Sequence, residues 1–133
     1  MSEEKKSLVC TPALPTDVAG RLIACNLVES TKECRRGALV YVTDDNPGNG
    51  RERVKVFARS RSGRWIRKWV RLEQLQNFRF KTVSAESSLA GREPVREGMA
   101  LAARYWNRDG AEAASGFEQQ AAARRQERSD AGG

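Results

Sequence analysis

The chain has 133 residues, a formal net charge of +7 at pH 7, 39% hydrophobic and 31% charged residues, three cysteines and no histidine. That length and balance predict one small domain with solvated extensions. No apolar run approaches the roughly 20 residues of a membrane helix, and the start MSEEKK lacks the apolar stretch of a signal peptide, so a cytoplasmic protein with no membrane partner is expected.

The missing histidine removes the commonest general base and the usual partner of a nucleophilic Ser or Cys. Cys10, Cys25 and Cys34 are odd in number, which fits a reducing compartment, and none of them forms a CxxC pair. A zinc site would need Asp or Glu as its remaining ligand. The expectation is a protein that is not an enzyme and holds no metal or cofactor.

Residues 1–15 contain Pro12 and Pro15 and read as an extended or disordered N-terminal segment, with residues 1–6 disordered. In residues 20–28, GRLIACNLV, Thr16 or Asp17 could cap a short helix, but the compact apolar run favours a first strand. Residues 29–36 are polar and form a loop. GALVYVT, residues 37–43, predicts a strand with Val40 and Val42 on one face and Leu39 and Tyr41 on the other. The DDNPGNG stretch that follows is turn chemistry, and its adjacent Asp44 and Asp45 read as turn residues rather than paired catalytic carboxylates.

Residues 51–81 carry eleven Lys or Arg against two Glu, a net +9, so the rest of the +7 chain sums to −2. The positive excess is local, which is the electrostatic footprint of a polyanion binder; a solvated charged surface is the blander alternative. From Glu52 to Arg59 the alternation puts Val54, Val56 and Ala58 on one face and Arg53, Lys55, Phe57 and Arg59 on the other. From Arg64 to Leu72 it puts Ile66, Val70 and Leu72 on one face, interrupted by Lys68, and Trp65, Arg67, Trp69 and Arg71 on the other. Ser60, Arg61, Ser62 and Gly63 supply the turn of a hairpin, with Gly63 free to take positive φ.

With the aliphatic face inward, the outer face mixes rings with cations, a composition suited to phosphates and unstacked bases of a single strand. The candidate nucleic-acid-binding residues are Arg53, Lys55, Phe57, Arg59, Arg61, Arg64, Trp65, Arg67, Trp69 and Arg71. Trp65 and Trp69 stand about 13 Å apart along a strand, too far to sandwich one base. Either ring is also a natural core residue, and a bulge near Arg67 or Lys68 would turn one inward and take Lys68 off the aliphatic face.

Glu73, Gln74 and Leu75 then form one tight helical turn, and NFRFKTV, residues 77–83, a closing strand with Phe78 and Phe80 on one face and Arg79 and Lys81 on the other. Residues 84–92 read as a linker. Residues 93–110 form an amphipathic helix with Pro94 in its first turn and a stripe of Val95, Met99, Ala102 and Trp106, weakened by roughly 1 kcal/mol at Gly98. Residues 111–133 have Phe117 as their only large apolar side chain and read as a disordered or transiently helical tail. In that tail Arg124, Arg125 and Arg128 are solvated or make loose polyanion contacts.

The order of elements over residues 16–83, carried by GALVYV, ERVKVFARS, the Ser62-Gly63 turn, RWIRKWVRL and LEQL before NFRF, resembles the SH3-like small β-barrel with its KOW and Tudor relatives. The resemblance covers roughly half of the chain and brings no family motif residue by residue. The fold it implies is mainly β: a five-stranded SH3-like barrel with a C-terminal α-helix and disordered ends. The functions it implies are RNA binding, methyl-ligand reading and protein interaction. Arginines between the rings oppose a cage for a methylated cation, and Glu29, Glu33, Asp44 and Asp45 leave peptide binding open. The expected function is non-catalytic binding of nucleic acid, RNA or DNA, with single strands favoured. The alternative is a small adaptor that docks an acidic protein partner or a larger complex through the basic face or the Trp106 helix.

Overall fold

The five expected strands form in a computed structural model that describes residues 18–110 and 112–132. The expectations for residues 1–15, for Thr16 and Asp17 as caps and for Cys10 lie outside the described residues. The strands are β1 (Val18–Leu27), β2 (Leu39–Asp44), β3 (Arg53–Arg59), β4 (Trp65–Arg71) and β5 (Leu75–Ser84), followed by helices α1 (Glu93–Asp109) and α2 (Glu112–Gly132). All neighbours pair antiparallel in the order β4-β3-β2-β1-β5, and a tight turn, Leu72–Gln74, joins β4 to β5. The sheet is open: among the described residues no ladder joins β4 to β5.

β1 is buried on both faces between two hydrophobic clusters, which explains why it reads as a run rather than an alternation. Ile23, Cys25, Leu27, Val40, Val42, Val54, Val56 and Val70 make one hydrophobic cluster with Leu101, Tyr105 and Phe117 from the helices. Leu22, Ala24, Tyr41, Phe57, Val83 and Val95 make a second on the opposite face, flanked by Leu39, Trp65, Leu89, Ala90 and Met99. Burial in the first cluster raises the Cys25 thiol far above its ordinary pKa, so it stays a neutral, inert core residue.

β3 and β4 pair without a register shift from Arg53↔Arg71 to Arg59↔Trp65, so there is no bulge at Arg67 or Lys68. Lys68 therefore stays on the aliphatic face opposite Val56. It is tolerated there because its Nζ donates to Glu33 Oε1 at 2.7 Å and Thr31 Oγ1 at 3.2 Å. A charge pointing inward from an edge strand also disfavours pairing with another chain.

Helix α1 packs on β1 and β2. Its buried face is Val95, Gly98, Leu101, Ala102 and Tyr105, so Tyr105 rather than Trp106 is the deep aromatic. Trp106 is half-buried against Phe80, with ring centroids 5.1 Å apart, and under the Arg21 guanidinium at 4.0 Å. Gly98 lets the helix sit close: a Cβ there would lie 2.7 Å from Leu22 Cδ2 and 3.0 Å from the Val42 carbonyl oxygen.

Tyr105 also donates to the Asp45 carboxylate and accepts from Arg51 Nη2 at 2.6 Å. Burial and the hydrogen bond to Asp45 raise its pKa. Asp45, which reads as a turn residue in the sequence, is thus a buried anchor for α1, whereas Asp44 makes the expected turn contact to the Asn46 N–H at 2.9 Å.

The largest departure is the C-terminus, where a docked helix takes the place of a disordered or transiently helical tail. Ala113, Phe117 and Ala121 recur every four residues and are buried, and Phe117 stacks on Phe78 at 5.4 Å. An isolated helix of this composition cannot stay folded by itself; docking supplies the missing burial. Its polar side chains cover the β5 edge: Glu118 accepts from the Phe78 N–H at 2.9 Å, and Arg125 donates to the Leu75 carbonyl at 2.7 Å. Arg128 donates to Glu73 Oε2 at 2.8 Å and Arg124 to the Gly50 carbonyl at 2.7 Å, so all three tail arginines hold the fold together. Among the described residues no helix is long and apolar enough to cross a membrane.

Candidate functional site

The hairpin register places Arg53, Lys55, Phe57 and Arg59 opposite Arg71, Trp69, Arg67 and Trp65, so all eight share one face as their alternation implies. That face is not uniformly free. Leu89, Ala90, Val95 and Met99 cross part of it, and Phe57 is 3% exposed within the second cluster. Trp65 stacks on Phe57 at 5.1 Å and on Tyr41 at 5.9 Å, which commits part of its ring to packing. Trp69 is 43% exposed, the one exposed large hydrophobic side chain among the described residues, with Lys55 Nζ 5.3 Å from its ring centroid. Phe57 is therefore a core residue, Trp65 a core residue with an accessible part, and Trp69 a surface residue.

The cations divide too. Arg67 Nη2 lies 3.7 Å from both Glu93 and Glu97 of α1, and Arg71 lies 3.9 Å from Glu73, so both are already neighboured by carboxylates. Arg53, Arg59, Arg61 and Arg64 are exposed.

Arg59, Arg61 and Trp65 meet Arg35, Arg36 and Leu39 around an open groove of about 590 Å³. One wall is the hairpin turn, where Gly63 takes φ 90° and its carbonyl accepts from Arg59 Nε at 3.2 Å. The other wall is the end of the β1–β2 loop, held by the buried Cys34 and by the Cys34 N–H donating to Thr31 Oγ1 at 3.0 Å. Arg61 ties the walls together: its N–H donates to the Glu33 carbonyl at 2.8 Å and its Nη2 to the Thr31 carbonyl at 3.0 Å. The Lys68 hydrogen bond, followed by its charge, holds the Glu33 carboxyl below its ordinary pKa, so this acid is ionised and already occupied. Four guanidinium-bearing residues line the groove and no carboxylate does.

Comparison with protein-family models, with curated proteins and with solved structures finds no match for this chain. The functional reading accordingly rests on geometry and charge.

Arg35 and Arg36 are absent from the candidates drawn from sequence, where they belong to a polar loop. Their signal is the Arg-Arg pair ahead of Gly37, but its meaning depends on a hairpin turn some two dozen residues further along the chain. Among the described residues no three Cys, Asp or Glu side chains gather in a way that could hold a metal ion. The groove can pair with anionic oxygens and offer an aromatic surface, since guanidinium presents a planar fork of donors matched to phosphate and carboxylate.

Proposed function

We propose that this chain is a non-catalytic nucleic-acid-binding module in which the arginine groove grips phosphates and the rings of Trp65 and Trp69 hold unstacked bases. The observation that carries the reading is the groove: four arginines converge from two loops beside Trp65, and no acidic residue lines it. The open arrangement favours a single strand of RNA or DNA, because Trp69 can stack a base only if that base is free of a duplex. The SH3-like barrel belongs to the same proposal, supported by the strand order and by the tight turn before β5. Phe57 drops out of the contact surface, and Arg35 and Arg36 join it.

Fluorescence anisotropy with labelled single-stranded RNA, single-stranded DNA and duplex DNA across a salt series tests this directly. Neutralising four or five phosphates of a single strand, with those beyond the groove meeting Arg53, Lys55 and Arg64, gives a log–log slope of about −3. A slope near zero rejects phosphate contact as the basis of binding. No binding to any of the three at low salt rejects the proposal and directs the search to an acidic protein partner for the same groove.

A further inference from the structure

The groove holds more positive charge than a strand running through it supplies in phosphates. Its volume of about 590 Å³ is that of a site for one small molecule, typically 300–1,000 Å³. A strand brings one negative charge per nucleotide, so the one or two phosphodiesters such a space admits would leave at least two guanidinium groups unmatched. A phosphomonoester carries about −1.5 to −2 at pH 7 and offers three strong acceptor oxygens, so a strand end with its adjoining diester brings about −2.5 to −3 into the same space, and a polyphosphate brings more.

The arginines are arranged to meet such a group. Arg59 and Arg61 each spend one donor on a backbone carbonyl, of Gly63 and Thr31 respectively, which fixes them while leaving most of their five N–H groups available. The side chains of Arg35 and Arg36 make no hydrogen bond or ion pair among the described residues. The nearby Glu33 is turned to Lys68 and does not compete.

We infer that the groove selects a nucleotide's terminal phosphate group, a phosphomonoester or polyphosphate, over internal phosphodiesters, with the attached nucleoside against Trp65. In its strand-end form this rests on the nucleic-acid reading above; in its free-nucleotide form it does not. The same chemistry comes from either source, and the experiment separates them.

One labelled oligonucleotide sequence is prepared with a hydroxyl, a monophosphate or a triphosphate at its 5′ end, and with a hydroxyl or a phosphate at its 3′ end. Binding is measured with the full chain and with an Arg35→Ala/Arg36→Ala variant whose circular dichroism matches it, using ATP and inorganic tripolyphosphate as competitors. The expected result is about tenfold or greater tightening when one end gains its phosphates, competition by tripolyphosphate, and loss of the tightening in the variant. ATP bound as tightly as the triphosphate-ended strand assigns the site to free nucleotides; a tighter strand assigns it to strand ends. Equal affinity for every end overturns the inference and leaves single-strand binding standing. ATP binding without any oligonucleotide binding upholds the inference and overturns the nucleic-acid reading, and no binding of any probe overturns both.

Discussion

Replacing Gly98 with alanine sets two effects of similar size against each other, and the structure decides the sign. In an exposed helix the change stabilises by about 0.8–1.0 kcal/mol, because alanine gives up less backbone entropy. Here the new Cβ would stand 2.7 Å from Leu22 Cδ2, 3.0 Å from the Val42 carbonyl oxygen and 3.6 Å from Thr43 Cγ2. Leu22 is 1% exposed, so its methyl has no free space to move into, and Val42 lies in the ladder between β1 and β3. Overpacking of this kind costs about 1–3 kcal/mol, and lifting α1 to relieve it would also loosen Val95 and Met99. The expected net effect is a destabilisation of about 1 kcal/mol.

Gly116 of α2 is the control, since a Cβ there meets nothing within 4 Å. Gly116→Ala is expected to stabilise by about 0.8–1.0 kcal/mol. Urea unfolding followed by tryptophan fluorescence and far-ultraviolet circular dichroism reads both changes. With unchanged slopes of about 1–3 kcal/mol/M, the midpoints move in opposite directions by roughly 0.3–1 M. A Gly98→Ala midpoint that rises like that of Gly116→Ala would refute the close seating of α1 on β1 and β2.

Four other substitutions address the C-terminal helix, the acid response and the rings. Phe117→Ala removes a fully buried ring packed on Phe78 and Tyr105 and should cost about 3–5 kcal/mol in the same unfolding assay; a loss below about 1 kcal/mol would mean α2 is not docked. Burial pushes the Glu73 carboxyl up, but hydrogen bonds from Arg128 and its own backbone, with the charges of Arg128 and Arg71, outweigh this and leave its pKa lowered. A lowered folded value means its contribution is present above the ordinary carboxylate pKa of about 4.3 and is lost as pH falls through the folded value. Stability profiles from pH 6 downward should therefore be flatter for Glu73→Gln, and parallel profiles would discount the pair. Trp69→Ala should change stability by no more than about 0.5 kcal/mol, because the ring is on the surface, yet weaken single-strand binding roughly tenfold by anisotropy if it stacks one base. Trp65→Ala should cost about 2 kcal/mol of stability, because its ring also packs on Phe57 and Tyr41; the reverse ranking of the two variants would invert the assignment of the rings.

The strands, their faces and the hairpin register were legible in the sequence because period-two alternation and turn residues are local signals. Val54, Val56 and Ala58 lie inward and Arg53, Lys55 and Arg59 outward as their spacing implies, and Gly63 turns the hairpin with positive φ. The same pattern placed Phe57 outward correctly, yet outward is not exposed: residues 89–99 cross that face, and no local spacing reports a segment returning from thirty positions away. The docking of α2 was not legible because its buried stripe is mostly alanine, which packs closely against a sheet but carries little hydrophobic signal of its own.

Local sequence chemistry alone thus determined the strands, the turns and the basic excess of residues 51–81. Tertiary structure alone decided which cations stay free. Arg67 and Arg71 meet glutamates and Arg125 and Arg128 are spent on backbone and carboxylate, while Arg35 and Arg36 come beside Arg59 and Arg61. Charge acts through distance in space, and the distance between two loops is set by the packing of the whole chain.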